Sequence, residues 1–253
     1  MRRAGWQATA TAMLTTAATA ALATLPLLEP AAASAASKAP PDATTLYHEA
    51  LATTHGWSVH YESSATAPKA TIVVSGDAGP ASGTQTVALG KSKESLTDNA
   101  DIIVIGGITY LKGNAAALGD LAGMSPSQAA AAAGRWVEFA TDSAILASVS
   151  AGVRSTDVAK ELALTGPYTP GHTRRLNGVE VDAVEGSQKI GGKHVRVVLY
   201  VRANGTHVPV EEDAVNAAGK PDAVLHVVYS KWGEVVRPQA PHAAGSIGPV
   251  SST

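Results

Sequence analysis

The sequence predicts an α+β fold, a large antiparallel sheet with helices laid over one face. Three observations lead there. Two β-rich runs, Asp101–Ile105 and Ile108–Lys112, flank Gly106-Gly107. Gly-Gly between such runs signals a two-residue hairpin, because the twisted turn needs φ > 0 and glycine has no Cβ to clash. From Ser125 to Leu162 the pattern becomes helical. After Leu162 it returns to β-rich runs punctuated by glycine-bearing turns, as in an antiparallel meander.

The chain has 253 residues, 45% hydrophobic and 16% charged, enough for one sizeable core. A net charge of −2 provides no basic field for nucleic acid. Aromatics make up 4%, with Phe139 as the sole phenylalanine, so base-stacking platforms are not expected. Cysteine is absent, which excludes disulfides, thiol catalysis and Cys-based metal sites.

Residues 1–35 read as a secretory signal peptide. Arg2 and Arg3 form a positive start, Ala8–Leu28 is a weakly apolar run, and Ala33-Ser34-Ala35 is a small-residue cleavage site. An uncleaved anchor is the alternative. The many threonines and Pro26 argue against a stable span. The residues that should follow a twin-arginine pair are missing, so Sec export is the expected route. Cleavage removes two arginines and Glu29, leaving the mature chain one charge more negative. Residues 36–41 are a short linker, 42–238 form a single domain, and the Pro/Ala/Gly/Ser-rich tail at 239–253 is expected to be disordered.

Within the domain, Asp42 N-caps a helix reaching Thr54, with Leu46, Ala50 and Leu51 on one face and Gly56 beyond its end. Trp57–Ser63 alternates as a half-buried strand, with Trp57, Val59 and Tyr61 on one side. Strands follow at Ala70–Ser75 and Gln85–Gly90, separated by a Gly/Pro/Asp loop over Gly76–Gly83. Lys91–Asn99 is polar, with room for one short strand. The Gly106-Gly107 hairpin completes about five strands. It is expected mid-sheet, and its four consecutive apolar residues, Ile102–Ile105, predict cover on both faces.

Ser125-Pro126-Ser127-Gln128 is a capping box with proline at the first helical position, and Gly134 ends that helix. Trp136–Phe139 is extended or a turn. Helices are expected over Ser143–Ala151, stopped by Gly152, and from near Ser155, carrying Val158 and Leu162. Asn177-Gly178, Gly191-Gly192, Asn204-Gly205 and Gly219-Lys220-Pro221 then link runs at Val179–Ser187, His194–Val201, His207–Glu211 and Ala223–Lys231. The helical middle is the available cover for the sheet. If the sheet curves, an apolar cavity can remain between the two.

Gly106-Gly107-Ile108-Thr109-Tyr110-Leu111-Lys112-Gly113 resembles a hairpin of the LppX/LprG group of actinobacterial envelope lipoproteins, which are similar in structure to LolA-type lipoprotein carriers. Trp136-Val137-Glu138-Phe139, Leu199–Pro209 and Ser230-Lys231-Trp232-Gly233 with Pro238 resemble that group too. The resemblance spans Asp42 to Pro238. It implies a curved sheet forming a half-open β-barrel, helices on its concave side, and a hydrophobic cavity for acylated lipids or glycolipids. Members tethered to the envelope carry an acylated Cys after the signal peptide. This chain has none, so the resemblance implies a soluble or loosely attached form.

No catalytic constellation emerges. The eight histidines include no His-x-His, and His48-Glu49 lacks the partner at Ala52 that a zinc helix needs. No G-x-S-x-G elbow occurs in the domain; Gly245-Ser246-Ile247-Gly248 reads as linker. Gly90-Lys91-Ser92 has Gln85 where a phosphate loop needs glycine. Glu211-Glu212-Asp213 reads as a solvated turn, with cation binding as the alternative. Arg174-Arg175, Lys189 and Lys193 read as strand-edge charges. Asn204-Gly205-Thr206 matches a glycosylation sequon, but its Asn-Gly is explained by the turn.

The expectation is therefore a secreted or cell-envelope protein, not an enzyme, without cofactor or metal, that binds or carries a lipid or other hydrophobic ligand. The alternative is a non-enzymatic interaction protein with a filled core. Candidate pocket residues are Trp57, Tyr61, Tyr110, Trp136, Phe139 and Trp232, joined by Ile103, Ile105 and Leu199. Core packing uses the same residue types, so both accounts stay open. No motif specifies an oligomeric state.

Overall fold

The computed structural model describes residues 42–67, 70–140, 150, 152–190, 193–215, 223–242 and 244–246. The expected signal peptide, the linker, the helix at Ser143–Ala151 apart from Ser150, and the turns at Gly191-Gly192 and Gly219-Pro221 lie outside them.

Local signals become local structure where expected. Helix α1, Ala43–Thr54, begins where the Asp42 carboxylate accepts from the Thr45 amide at 3.1 Å. Among the described residues the first half holds five strands: β1 (Val59–Ala67), β2 (Ala70–Ala78), β3 (Ser82–Gly90), β4 (Leu96–Ile105) and β5 (Ile108–Gly113). Gly106 and Gly107 close the β4–β5 hairpin at φ 56° and 87°, and Ile105 faces Ile108 across it. The short strand expected within Lys91–Asn99 and the Asp101–Ile105 run are one strand, β4.

The expected loop over Gly76–Gly83 is largely ladder instead, with Asp77 facing Thr84 and Ala78 facing Gly83. Its glycines serve close approach. A Cβ on Gly76 would lie 2.7 Å from the Tyr61 hydroxyl, and one on Gly83 would lie 2.1 Å from the Val153 carbonyl oxygen. Gly83→Ala is expected to cost on the order of 1–3 kcal/mol, because backbone must move to admit the methyl. Gly106→Asn, at a left-handed position with nothing within 4 Å of its Cβ, is the tolerated control. Urea denaturation of both variants checks this; equal stabilities would refute the packing argument.

Helix α2, Ala115–Ala122, was not expected. Its ends are nonetheless well marked, with the Asn114 side chain accepting from the Ala117 amide at 2.9 Å and Gly123 left-handed at φ 63°. Helix α3, Pro126–Ala132, has the predicted capping box in full. Strand β6, Val137–Ala140, follows. After the loop around Gly152 comes α4, Ser155–Glu161.

The second half is the expected meander, built of β7 (Thr165–Pro170), β8 (Arg174–Leu176), β9 (Val179–Ile190), β10 (Lys193–Arg202), β11 (Pro209–Val215) and β12 (Ala223–Ser230). Asn177 and Gly178 make the β8–β9 turn at φ 48° and 83°. Gly245–Ser246 forms β13. This departs from the expected disordered tail. The edge strand β6 has open backbone groups, and the tail satisfies them in parallel, with the Gly245 amide donating to the Trp136 carbonyl at 3.0 Å.

All thirteen strands form one sheet in the order β13-β6-β5-β4-β3-β2-β1-β12-β11-β10-β9-β7, with β8 also on β9. Every pairing but β13–β6 is antiparallel. No pairing joins the two ends among the described residues, so the barrel is half-open. The hairpin is therefore not mid-sheet. The whole second meander adds through β12 onto β1, which brings β2, β1 and β12 to the middle of the sheet, with Tyr61 facing Tyr229.

The helices cover one face at two ends. Helices α1 and α4 pack together, and α1 lies on β7, β9 and β10; α2 packs on α3 and lies on β4 and β5. Ile102 and Val104 are buried beneath this cover, whereas Ile103 and Ile105 on the other face are half-buried. The expected cover on both faces is thus complete on one side only. No helix among the described residues is long and apolar enough to cross a membrane.

Candidate functional site

Cross-strand pairing shows which side chains share the helix-covered face. One row across the sheet centre runs Val74, Ser63, Val227, Glu212, Leu199, Val184; the adjacent row holds Gly76, Tyr61 and Tyr229. Flanking positions are largely apolar, among them Ile72, Leu225, Ala214 and Val197, while Gln85 beside Gly76 is polar and buried. The centre itself is polar and enclosed, with Glu212 only 2% exposed and Ser63 4%.

The Tyr61 hydroxyl donates to Gln85 Oε1 at 3.0 Å, its ring passing over Gly76 where no Cβ intervenes. The Tyr229 hydroxyl donates to Glu212 Oε2 at 3.1 Å. Glu161, the last residue of α4, joins from the helix layer. Its backbone carbonyl accepts from the Gln188 side-chain amide on β9. Farther along, the Tyr47 hydroxyl accepts from the Leu164 amide at 2.8 Å and stacks on Tyr168 at 4.5 Å, fastening α1 over β7.

The electrostatics are one-sided. Burial pushes the Glu161 carboxyl up to about 8, with the Glu212 charge and then Asp157 adding to it. Burial also pushes Glu212 up to about 7, against the Tyr229 hydrogen bond, which favours the ionised form; Asp213 adds to the rise. Burial raises Tyr61 and Tyr229 well above the ordinary phenol range, and neighbouring carboxylates add to both.

The acidic triplet is thus not a solvated turn. It lies within β11, and alternation sends Glu212 inward while Glu211 and Asp213 face the opposite side. There the Arg174 guanidinium lies 2.7 Å from Glu211 and 4.0 Å from Asp213, and 3.7 Å above the Tyr200 ring. His226 Nδ1 lies 2.7 Å from Asp213. Glu211, Asp213 and His226 have ligand atoms within 4.8 Å of one another, but Arg174 already supplies the positive charge.

LprF from Mycobacterium bovis superposes with a TM-score of 0.53 at 14% identity, over 81% of this chain and 99% of that one. The chain has the fold of LprF. The lipoprotein LppX of Mycobacterium tuberculosis matches at a TM-score of 0.45 and 16% identity, over 77% of this chain and 97% of that one. A LolA-superfamily protein from Nitrosomonas europaea matches at 0.26 and 12%, over 79% and 95%. These superpositions are looser, and the assignment rests on LprF. No protein-family model and no curated protein matches the sequence.

In this LprF-like sheet, the nine residues named from sequence fall into three groups. Tyr61, Phe139 and Leu199 occupy the helix-covered face. Ile103, Ile105 and Tyr110 lie on the opposite one, with Ile103 facing Tyr110 across the hairpin. The tryptophans mark ends: Trp57 is 40% exposed just before β1, and Trp232 donates to the Pro209 carbonyl at 2.8 Å. Trp136, just before β6, has the Lys112 ammonium 5.9 Å from its ring.

Sequence reasoning missed Ser63, Gln85, Glu161, Glu212 and Tyr229. Strand alternation carries a usable signal for two of them, since Ser63 continues the Val59–Tyr61 face and Glu212 shares a face with Ala214. Nothing local marks Glu161, whose placement depends on how α4 docks.

Proposed function

We propose that this protein is a secreted, non-enzymatic binder or carrier of a lipid or other hydrophobic ligand, held between the helix-covered face of the sheet and the helices. The observation that carries the reading is the half-open, LprF-like sheet with helix pairs at opposite ends of one face and its central strands between them. Concave, mostly apolar sites with a few convergent polar groups are what ligand pockets look like. Of the residues named from sequence, Tyr61, Phe139 and Leu199 are the proposed lining. The N-terminal 35 residues are proposed as a cleaved export signal, placing the carrier outside the cell or in its envelope.

Native mass spectrometry of the protein purified from its host is expected to find co-purifying lipid. After delipidation, the protein is expected to take up a fluorescent fatty-acid probe. An apo preparation that takes up no probe would instead support the filled-core interaction protein.

A further inference from the structure

We propose, building on the carrier reading, that the polar centre of the helix-covered face receives an ammonium group, and that the ligand is a long-chain amine or amino-headed lipid. Glu212, Ser63, Tyr61 and Tyr229 occupy adjoining rows on β11, β1 and β12, at the centre of the sheet and between the two helix pairs. An apolar tail would lie along the flanking Val and Leu positions, and its head would meet this cluster.

The Glu212 carboxylate accepts one hydrogen bond, from Tyr229, out of about four it can take. The Glu161 carboxylate has no hydrogen bond or ion pair among the described residues. Ser63, 4% exposed and on the same face, has no hydrogen-bond partner among them either. Glu212 and Ser63 thus keep acceptor capacity on one enclosed face of the sheet, which a donor supplied from outside would fill.

No residue in the two central rows is basic. The charges acting on Glu161, Tyr61 and Tyr229 come from Glu161, Glu212, Asp77 and Asp157 and, at Tyr229, from Tyr61; none of these groups is basic. Lys160, the nearest base in sequence, is at the surface and 3.4 Å from Asp157. Arg174 serves the opposite face. A bare divalent ion would require six or more oxygens in a regular shell. An ammonium on an alkyl chain brings three donors and one charge, matching two carboxyls and a hydroxyl set among valines and leucines.

The test is displacement of a neutral fluorescent apolar probe from the delipidated full chain by dodecylamine, dodecanol and laurate. Dodecylamine is expected to compete about tenfold better than dodecanol at about pH 8, the size of one charge-assisted contact. Laurate is expected to be the weakest. Glu212→Gln and Glu161→Gln should each bring the amine-to-alcohol ratio towards one. In the wild type that ratio should grow from about pH 6 to pH 8 as the carboxyls ionise, and should stay flat in the double variant. Equal competition by amine and alcohol, or preference for laurate, overturns the inference while leaving the carrier reading intact. Failure of the apolar probe itself to bind overturns both.

Discussion

Raising the pH from about 5 to about 9 is expected to destabilise the wild-type protein by on the order of 3 kcal/mol through Glu212 alone, and Glu212→Gln is expected to remove most of that loss. In the unfolded chain this carboxyl titrates near 4.5; in the fold burial pushes it up to about 7. Between those values the folded state holds a proton that the unfolded state has released. Stability therefore falls as pH rises through that window, and levels off above the folded value. Glu161, pushed up to about 8, extends the decline by about one further pH unit. The two carboxyls repel one another, so their effects will not simply add. Glutamine keeps an oxygen for the Tyr229 hydroxyl, so the variant tests charge rather than a lost hydrogen bond. Urea denaturation across the pH range supplies the measurement. A wild-type stability that is flat, or that rises with pH, would show that these carboxyls are solvated.

Leu111→Ala is expected to cost about 2–5 kcal/mol, whereas Ile103→Ala costs no more than about half of that. Both belong to the Gly106-Gly107 hairpin. Leu111 is fully buried and faces Ile102 and Val137. Ile103 lies on the opposite face and is half-buried. Truncation beneath the helices leaves a cavity that packed neighbours cannot close; truncation on the outer face removes less buried area. Denaturant midpoints for the two variants decide it. Equal costs would mean that both faces of the hairpin are packed cores, as Ile102–Ile105 alone led one to expect.

That hairpin shows where sequence legibility stops. Its turn was readable because two adjacent glycines at φ > 0 are a local requirement. Its position third and fourth from one end of the sheet was not, because that depends on β12 returning to β1 across more than 150 residues. The same division applies to glycine elsewhere. Gly178 sits at φ 83° in a turn, as its pairing with Asn177 announces. Gly76 and Gly83 look like loop residues but sit in strands, because Tyr61 and the Val153 backbone come too close for a Cβ. Composition cannot separate the two uses.

The sequence by itself determined the elements: the Asp42 and Ser125 caps, the paired-glycine and Asn-Gly turns, the antiparallel meander, and the α+β character that resembled the LppX/LprG group. These rest on interactions within a few residues, where backbone sterics and capping hydrogen bonds act regardless of the rest of the chain. Tertiary structure alone decided which strands meet at the centre, that the tail pairs with β6, and that Glu212 and Glu161 converge beneath the helices. A carboxylate's burial depends on what the far parts of the chain place over it. Within Glu211-Glu212-Asp213, three acidic neighbours differ only in which side of the sheet they face. Two meet an arginine or a histidine, and the third meets a tyrosine in the enclosed centre.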